Sequence, residues 1–132
     1  MDNIVEKVSS EIIVYDEEIH LSRTCNDAIE IYKEIKDRVL SFGSDITIIP
    51  KKSYIAFKRS DKNFWCVHFL KRELWTWLNM KKGELEDTKN ITRDVSQIGH
   101  YGTGDYELAI RKMEDIDYAI QLIFQAYKKQ GL

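Results

Sequence analysis

The sequence predicts an α+β fold: a single antiparallel sheet, a meander plus a further strand, with N- and C-terminal helices packed on one face. Three observations predict it. Apolar residues recur at helical spacing over 26–41 and 114–129. Between them, three β-rich runs follow one another with short polar turns. A fourth β-rich run, YELAI, comes just before the last helix.

EIIVYD (11–16) is β-branched and reads as a short strand. Thr24 opens the first helix, with Asp27 three residues on completing a capping-box pattern. The stripe Ala28, Ile31, Tyr32, Ile35, Val39 and Phe42 predicts a helix over 26–41, and Gly43 is the natural stop, in a left-handed cap. ITII (46–49) ends at Pro50, which lacks a ladder donor. SYIAFKR (53–59), FWCVHF (64–69) and LWTWLNM (74–80) complete the meander, joined through SDKN and LKRE. The helix over 114–129 carries Ile116, Ala119, Ile120, Ile123 and Tyr127 inward, with lysines in its last turn, where the helix dipole favours them.

Alternation within the strands sets two faces. Leu74, Thr76, Leu78 and Met80 point one way, Trp75 and Trp77 the other. Phe64, Cys66 and His68 oppose Trp65, Val67 and Phe69. Both faces therefore carry large apolar groups. Either all three tryptophans are core, or one aromatic face, with Trp65 and Trp77 as its candidates, meets a partner.

The chain of 132 residues suits one domain and needs no metal or disulfide to fold. Cys25 and Cys66 form no CxxC pair, which favours a reduced, cytoplasmic protein. No apolar run approaches the roughly 20 residues of a membrane span. The net charge of −2 is unevenly spread: nine Lys or Arg against Asp61 and Glu73 give +7 over residues 51–82. Basic turns beside aromatics fit a nucleic-acid surface, with Lys51, Lys52, Lys58, Arg59, Lys62, Lys71 and Arg72 on phosphates and Trp75 and Trp77 stacking bases. The alternative is that the lysines deter aggregation at turns and edges. Because hairpin turns alternate between the two ends of a sheet, two basic clusters are expected rather than one.

Motifs for catalysis are sparse. His20, His68 and His100 lie far apart in sequence, at no usual ligand spacing, so no metal is expected. Glu34-Ile35-Lys36 matches half of a restriction-nuclease signature, but it sits mid-helix with Ile35 in the buried stripe. Gly99-x-x-Gly102-x-Gly104 reverses a dinucleotide fingerprint, leads into a strand rather than a helix, and lacks the P-loop lysine. No cofactor is implied. The stretch 92–105 reads as a helical turn over 92–97 ended by Gly99, then a glycine loop into YELAI, with Asp94 and Asp105 taking backbone N–H bonds and Arg93 tying the loop to the sheet. Tyr54, Arg93, His100 and Asp105 are the residues to watch for a pocket.

The blocks YDEEIHL, KKSYIAFKR, TRDVSQIGHYGTGDYEL and EDIDYAIQLIFQAY together resemble the bacterial and archaeal domain family often labelled "predicted transport protein". The Arg-Asp-Val-Ser … Gly-His-x-Gly-Thr-Gly-Asp block is the most specific of them. The resemblance covers residues 15–127 and leaves 1–14 as an N-terminal extension. It implies no assigned activity, no agreed catalytic residues, and frequent placement as a C-terminal module beside a nuclease-type domain. Physical features give the transport label no support.

Three functional expectations follow. The first is a non-catalytic accessory module binding nucleic acid or a protein partner in a nuclease or defence system. The second is a small hydrolase or nucleotide-binding enzyme centred on His100. The third is a homodimer built on the tryptophan face. The position of His100 relative to Lys52 and Arg93 separates them.

Overall fold

The computed structural model describes residues 15–131. In chain order the elements are α1 (Glu17–Leu21), α2 (Asn26–Leu40), β1 (Ile46–Pro50), β2 (Ile55–Arg59), β3 (Lys62–Phe69), β4 (Leu74–Leu78), β5 (Arg93–Asp94), β6 (Tyr106–Ile110), a 3₁₀ turn (Met113–Asp115) and α3 (Ile116–Lys129). The six strands form one sheet in the order β1-β2-β3-β4-β6-β5, antiparallel throughout. The α+β arrangement is the one the sequence predicts, with helices on one face.

Helix α2 buries the expected stripe of Ala28, Ile31, Tyr32, Ile35 and Val39. With Leu122, Ile123 and Ala126 of α3 it packs on Ile55, Phe57, Val67, Leu74, Leu78 and Ile110 of the sheet. Burying each such side chain is worth about 1.5–3 kcal/mol against solvent. Thr76 is the buried polar exception within the sheet, and its hydroxyl donates to the Leu108 carbonyl at 2.8 Å.

Several local expectations are corrected. The strand expected over 11–16 falls largely outside the described residues. Its last residue, Asp16, instead caps α1, accepting from the Ile19 N–H at 3.0 Å. Cys25, not Thr24, is the N-cap of α2, and no side chain caps it. The Thr24 hydroxyl donates to the Lys71 carbonyl and so ties the start of α2 to the β3–β4 turn. Gly43 does not take a left-handed cap. Its need for glycine is spatial, since a Cβ there would lie 2.2 Å from the Tyr127 hydroxyl. The helical turn expected over 92–97 is absent. Arg93 and Asp94 extend as β5 against Glu107 and Tyr106, and only a tight turn follows, closed by Ile98 N–H to Val95 O at 3.0 Å.

The faces follow the predicted alternation in β4. In β3 they depart from it at one place. Phe57 pairs with Trp65 and Lys58 with Asn63, which leaves Phe64 as the extra residue of a bulge. Phe64 and Trp65 both join the helix-side core, with ring centroids 6.5 and 4.8 Å from Phe57. Trp65 therefore does not share a face with Trp77. The register pairs Trp77 with Cys66, and these two sit together beneath the sheet's second face with Ala56 and Val95.

The chain between β4 and β6 covers that second face. It first runs along α3, where Asp87 accepts from Tyr118 Oη at 2.6 Å and from Thr92 N–H and Oγ1 at 2.8 and 2.6 Å. It then forms β5 at the sheet edge, and residues 95–104 cross over Trp77 and Cys66. A Cβ on Gly102 would stand 2.5 Å from the Trp77 ring and 2.9 Å from Cys66 Cβ. Gly104 takes φ of +109°, a region that disfavours side chains, with Leu78 O 1.9 Å from where a Cβ would sit.

One polar anchor ties the helices to the far end of the sheet. Asp45 accepts from Tyr127 Oη and, at 2.9 Å, from Arg59 Nε, while Arg59 Nη1 donates to the Tyr127 carbonyl at 3.0 Å. The Tyr127 hydroxyl, and after it the Arg59 guanidinium, hold the Asp45 carboxyl below its usual range.

Two expectations can be measured by thermal unfolding. Gly102→Val drives a side chain into the Trp77 ring and should cost about 1–3 kcal/mol, the range for overpacked sites. Gly99→Ala, with open space around it, should cost little. Asp45→Asn should lower stability at neutral pH. A depressed carboxylate adds stability that is complete above its ordinary pKa of about 4 and is lost as pH falls through the folded value. The gap between wild type and Asp45→Asn should therefore narrow toward pH 3, and a gap that stays constant would contradict the ion-pair role.

Candidate functional site

The loop over 95–104 covers Trp77 but stops short of Trp75, and the uncovered part of the second face is a cleft of about 600 Å³. Its floor is Trp77, only 1% exposed, with Trp75 beside it. One wall is the loop itself, through Val95, Ile98, His100 and Tyr101. His68 and Leu70 close the β3 side, and Arg93 and Glu107 the β5–β6 side.

Each of these side chains is held by an identifiable contact. The His100 imidazole stacks on the Trp77 indole, centroids 5.7 Å apart and planes within 17°. His68 lies 4.8 Å from the Tyr101 ring and 6.5 Å from Trp77. Its Nδ1 sits 2.5 Å from the Ser53 carbonyl. A carbonyl only accepts, so the neutral ring carries its proton on Nδ1 and leaves Nε2 as an acceptor. Trp75 donates its indole N–H to Glu73 Oε1 at 2.7 Å, and Glu73 also pairs with Arg111. Arg93 Nη1 reaches Glu107 Oε2 at 3.4 Å. Two buried nitrogens at the cleft, Trp77 Nε1 and His100 Nδ1, have no hydrogen-bond partner among the described residues.

The sequence candidates divide sharply. Arg93, His100, Trp75 and Trp77 converge on the one cleft, whereas Lys52, Tyr54 and Asp105 do not line it. Tyr54 packs at the edge of the Cys66–Trp77 cluster. Asp105 is architectural: its carboxylate accepts from the Lys82 N–H at 2.9 Å, and its backbone bonds Val95 and Met80. Asp94 likewise accepts from the Ser96 N–H. Trp77, expected to stack bases, lies beneath the loop and His100. Arg59, expected on a phosphate, pairs its guanidinium with Asp45 and lies 4.1 Å from the Tyr127 ring centroid. His68, Tyr101 and Glu107 are cleft residues that the sequence reading did not select. The signal available for two of them was strand alternation, which puts His68 on the face of Trp77's partner Cys66 and Glu107 opposite Trp77.

The basic residues form two groups, as hairpin geometry requires. Lys58, Arg59, Lys62, Lys81 and Lys82 lie toward one end, where Arg59 meets Asp45 and Lys82 meets Asp94. Lys51, Lys52, Lys71 and Arg72 occupy the turns at the other end, all exposed, and none is ion-paired within the described residues. The last turn of α1 and the segment joining it to α2 bind these two turns together: His20 Nε2 donates to Lys51 O, Arg23 Nη1 to Lys52 O, and the Cys25 N–H to Lys71 O. Burial lowers the pKa of His20, in keeping with this neutral donor role. Leu70, next to Lys71, lines the cleft, so the cleft opens beside this end.

Nucleophilic and metal chemistry have little footing. Burial pushes the Cys66 thiol up to about 11, against the opposing pull of Thr103, so it is not a thiolate at neutral pH. Among the described residues no group of three or more His, Cys, Asp or Glu is placed to hold a metal ion. No helix among them is long and apolar enough to cross a membrane.

Comparison with known proteins extends this picture. A family described as a domain of unknown function (DUF5655) matches residues 17–130. An uncharacterised protein of Haemophilus influenzae is 39% identical over 121 residues, covering 92% of this chain and 40% of that protein. The chain thus spans about two-fifths of the length of that relative. No solved structure matches. With a match running from the first residue of α1 to just past the end of α3, and with the uncharacterised-family resemblance of its sequence blocks, the chain belongs to the DUF5655 family.

Proposed function

We propose that this chain is a nucleic-acid-binding accessory module, working beside a nuclease-type domain or partner, and that the cleft receives an unstacked nucleotide. One observation carries the reading: an aromatic cleft, with Trp75 and Tyr101 accessible, opens beside four exposed cations that no carboxylate among the described residues neutralises. Aromatic rings stack on bases at about 1–3 kcal/mol each, and the cations neutralise the phosphates. The nuclease setting rests on the family resemblance of the sequence blocks, an association rather than a mechanism.

A second reading, an enzyme acting on a nucleotide or phosphodiester, is favoured by one observation: His68 and His100 line the same cleft as Arg93. An imidazole with its Nε2 free is a competent general base. A dimer built on both tryptophans has lost part of its premise, because Trp77 lies under the chain's own loop.

The binding reading is tested by titrating short single-stranded oligonucleotides at several salt concentrations. Affinity should fall with a log–log slope of about −0.7 per neutralised phosphate. Lys52→Glu with Lys71→Glu should flatten that slope and weaken binding without moving the melting temperature. Salt-insensitive binding, or none at low salt, refutes it. Lys58→Glu with Arg59→Glu is a poor probe, because it destroys the Asp45 anchor. The enzyme reading predicts turnover of nucleotides or oligonucleotides that His68→Ala and His100→Ala each abolish. Binding with no turnover decides against it.

A further inference from the structure

We infer that the cleft selects guanine, with the Glu107 carboxylate accepting hydrogen bonds from N1–H and the N2 amino group of the base; the inference rests on the nucleic-acid reading above. Glu107 projects onto the second face of β6, with Trp77 opposite it on β4 and Arg93 on β5. Its side chain is only 12% exposed, yet its one side-chain hydrogen bond among the described residues is the 3.4 Å contact from Arg93. A carboxylate offers about four acceptor positions, and a nearly buried one is normally well served. Other shielded carboxylates here are: Glu17 takes Tyr32 Oη at 2.6 Å and Lys36 Nζ at 2.8 and 2.9 Å, and Glu73 holds Trp75 and Arg111. Glu107 alone of the three faces an aromatic cleft with most of its acceptor capacity unused.

The ligand that completes such a site is flat, so that it stacks on Trp75 and Tyr101, and presents adjacent N–H donors to two carboxylate oxygens. Guanine is the one standard base whose Watson–Crick edge does so. Adenine and cytosine set a ring-nitrogen lone pair beside their amino group, and uracil flanks its single N–H with two carbonyls, so each meets a carboxylate with repulsion. Guanine also carries acceptors, O6 and N7, for which the Arg93 guanidinium in the cleft is a matching donor. An alkylammonium ligand would also suit aromatic rings and a carboxylate. Arg93 inside the cleft and the unpaired cations at its mouth oppose it.

Calorimetric titration of the full chain with guanosine, inosine, adenosine, cytidine and uridine monophosphates tests this without any variant. Guanosine monophosphate should bind roughly 5- to 150-fold tighter than the adenosine, cytidine and uridine nucleotides, the range one bidentate pair supplies. Inosine monophosphate, which keeps N1–H and lacks the amino group, should fall between. Glu107→Gln presents one acceptor and one donor, so the preference should shift from guanine toward adenine while melting stays near wild type. Equal affinity for all five nucleotides, with oligonucleotides still bound in a salt-dependent way, overturns the guanine inference and leaves the binding reading standing. Failure of every nucleotide and oligonucleotide to bind at low salt overturns both. Displacement of bound guanosine monophosphate by tetramethylammonium at comparable concentration also overturns it, in favour of a cationic ligand.

Discussion

A sheet that carries large side chains on both faces but helices on only one must bury the other face with something else. In this domain the cover is a stretch of irregular chain, and the Gly102 backbone resting on the Trp77 indole is what lets it come close enough. Irregular chain brings unpaired N–H and C=O groups with it, and burying them is costly. Several are answered locally: Val95 N–H donates to Asp105 O, Ile98 N–H to Val95 O, and Asp105 N–H to Met80 O. Such a cover is narrower than a helix. It shields Cys66 and Trp77 and leaves Trp75, which is why the second face has a cleft at all.

Electrostatics follows the same division. At the end of the sheet where α3 finishes, two cations are neutralised by structural carboxylates, Arg59 by Asp45 and Lys129 by Glu84. Among the described residues the cations of the turns at 51–54 and 70–73 have no such partners, although the turn backbones are firmly held by α1 and the segment after it. A cluster of exposed like charges on a well-fixed backbone destabilises the fold slightly and attracts anions. Isolated surface charges are worth little to stability either way, so the cluster makes more sense as a contact surface than as a structural device.

The helices and meander were legible because their signals are local. A helical stripe such as Ala28, Ile31, Tyr32 and Ile35 needs only the neighbouring turns, and strand alternation needs only the pleat. What the sequence concealed depends on partners far away in the chain. The bulge at Phe64 arises from how β3 pairs with β2, Trp65 with Phe57 and Asn63 with Lys58, and it moves one aromatic side chain to the opposite face. Gly43 and Gly102 look like turn residues, yet their neighbours Tyr127 and Trp77 make them packing residues. The site was half legible. Arg93 and His100 drew attention as polar groups in a glycine loop, and both line the cleft. Glu107 did not, because a lone glutamate in a strand looks like solvent-facing polarity until the loop that crosses it is known. Asp105 was misleading for the converse reason, since its proximity in sequence to Tyr101 and Glu107 did not bring it into the cleft.

The three tryptophans end in three distinct surroundings. Trp65 lies in the helix-side core, Trp77 lies against an imidazole under the loop, and Trp75 is half-buried with its indole N–H bound to a carboxylate. Indole emission follows the polarity and the quenchers around the ring, so the natural chain contains three built-in optical reporters. Trp65 reports global packing, Trp77 the seating of the loop, and Trp75 the occupancy of the cleft. Opening of the loop would therefore change the surroundings of Trp77 and of Trp75 in the cleft while leaving Trp65 packed, distinguishable from unfolding, in which all three change together.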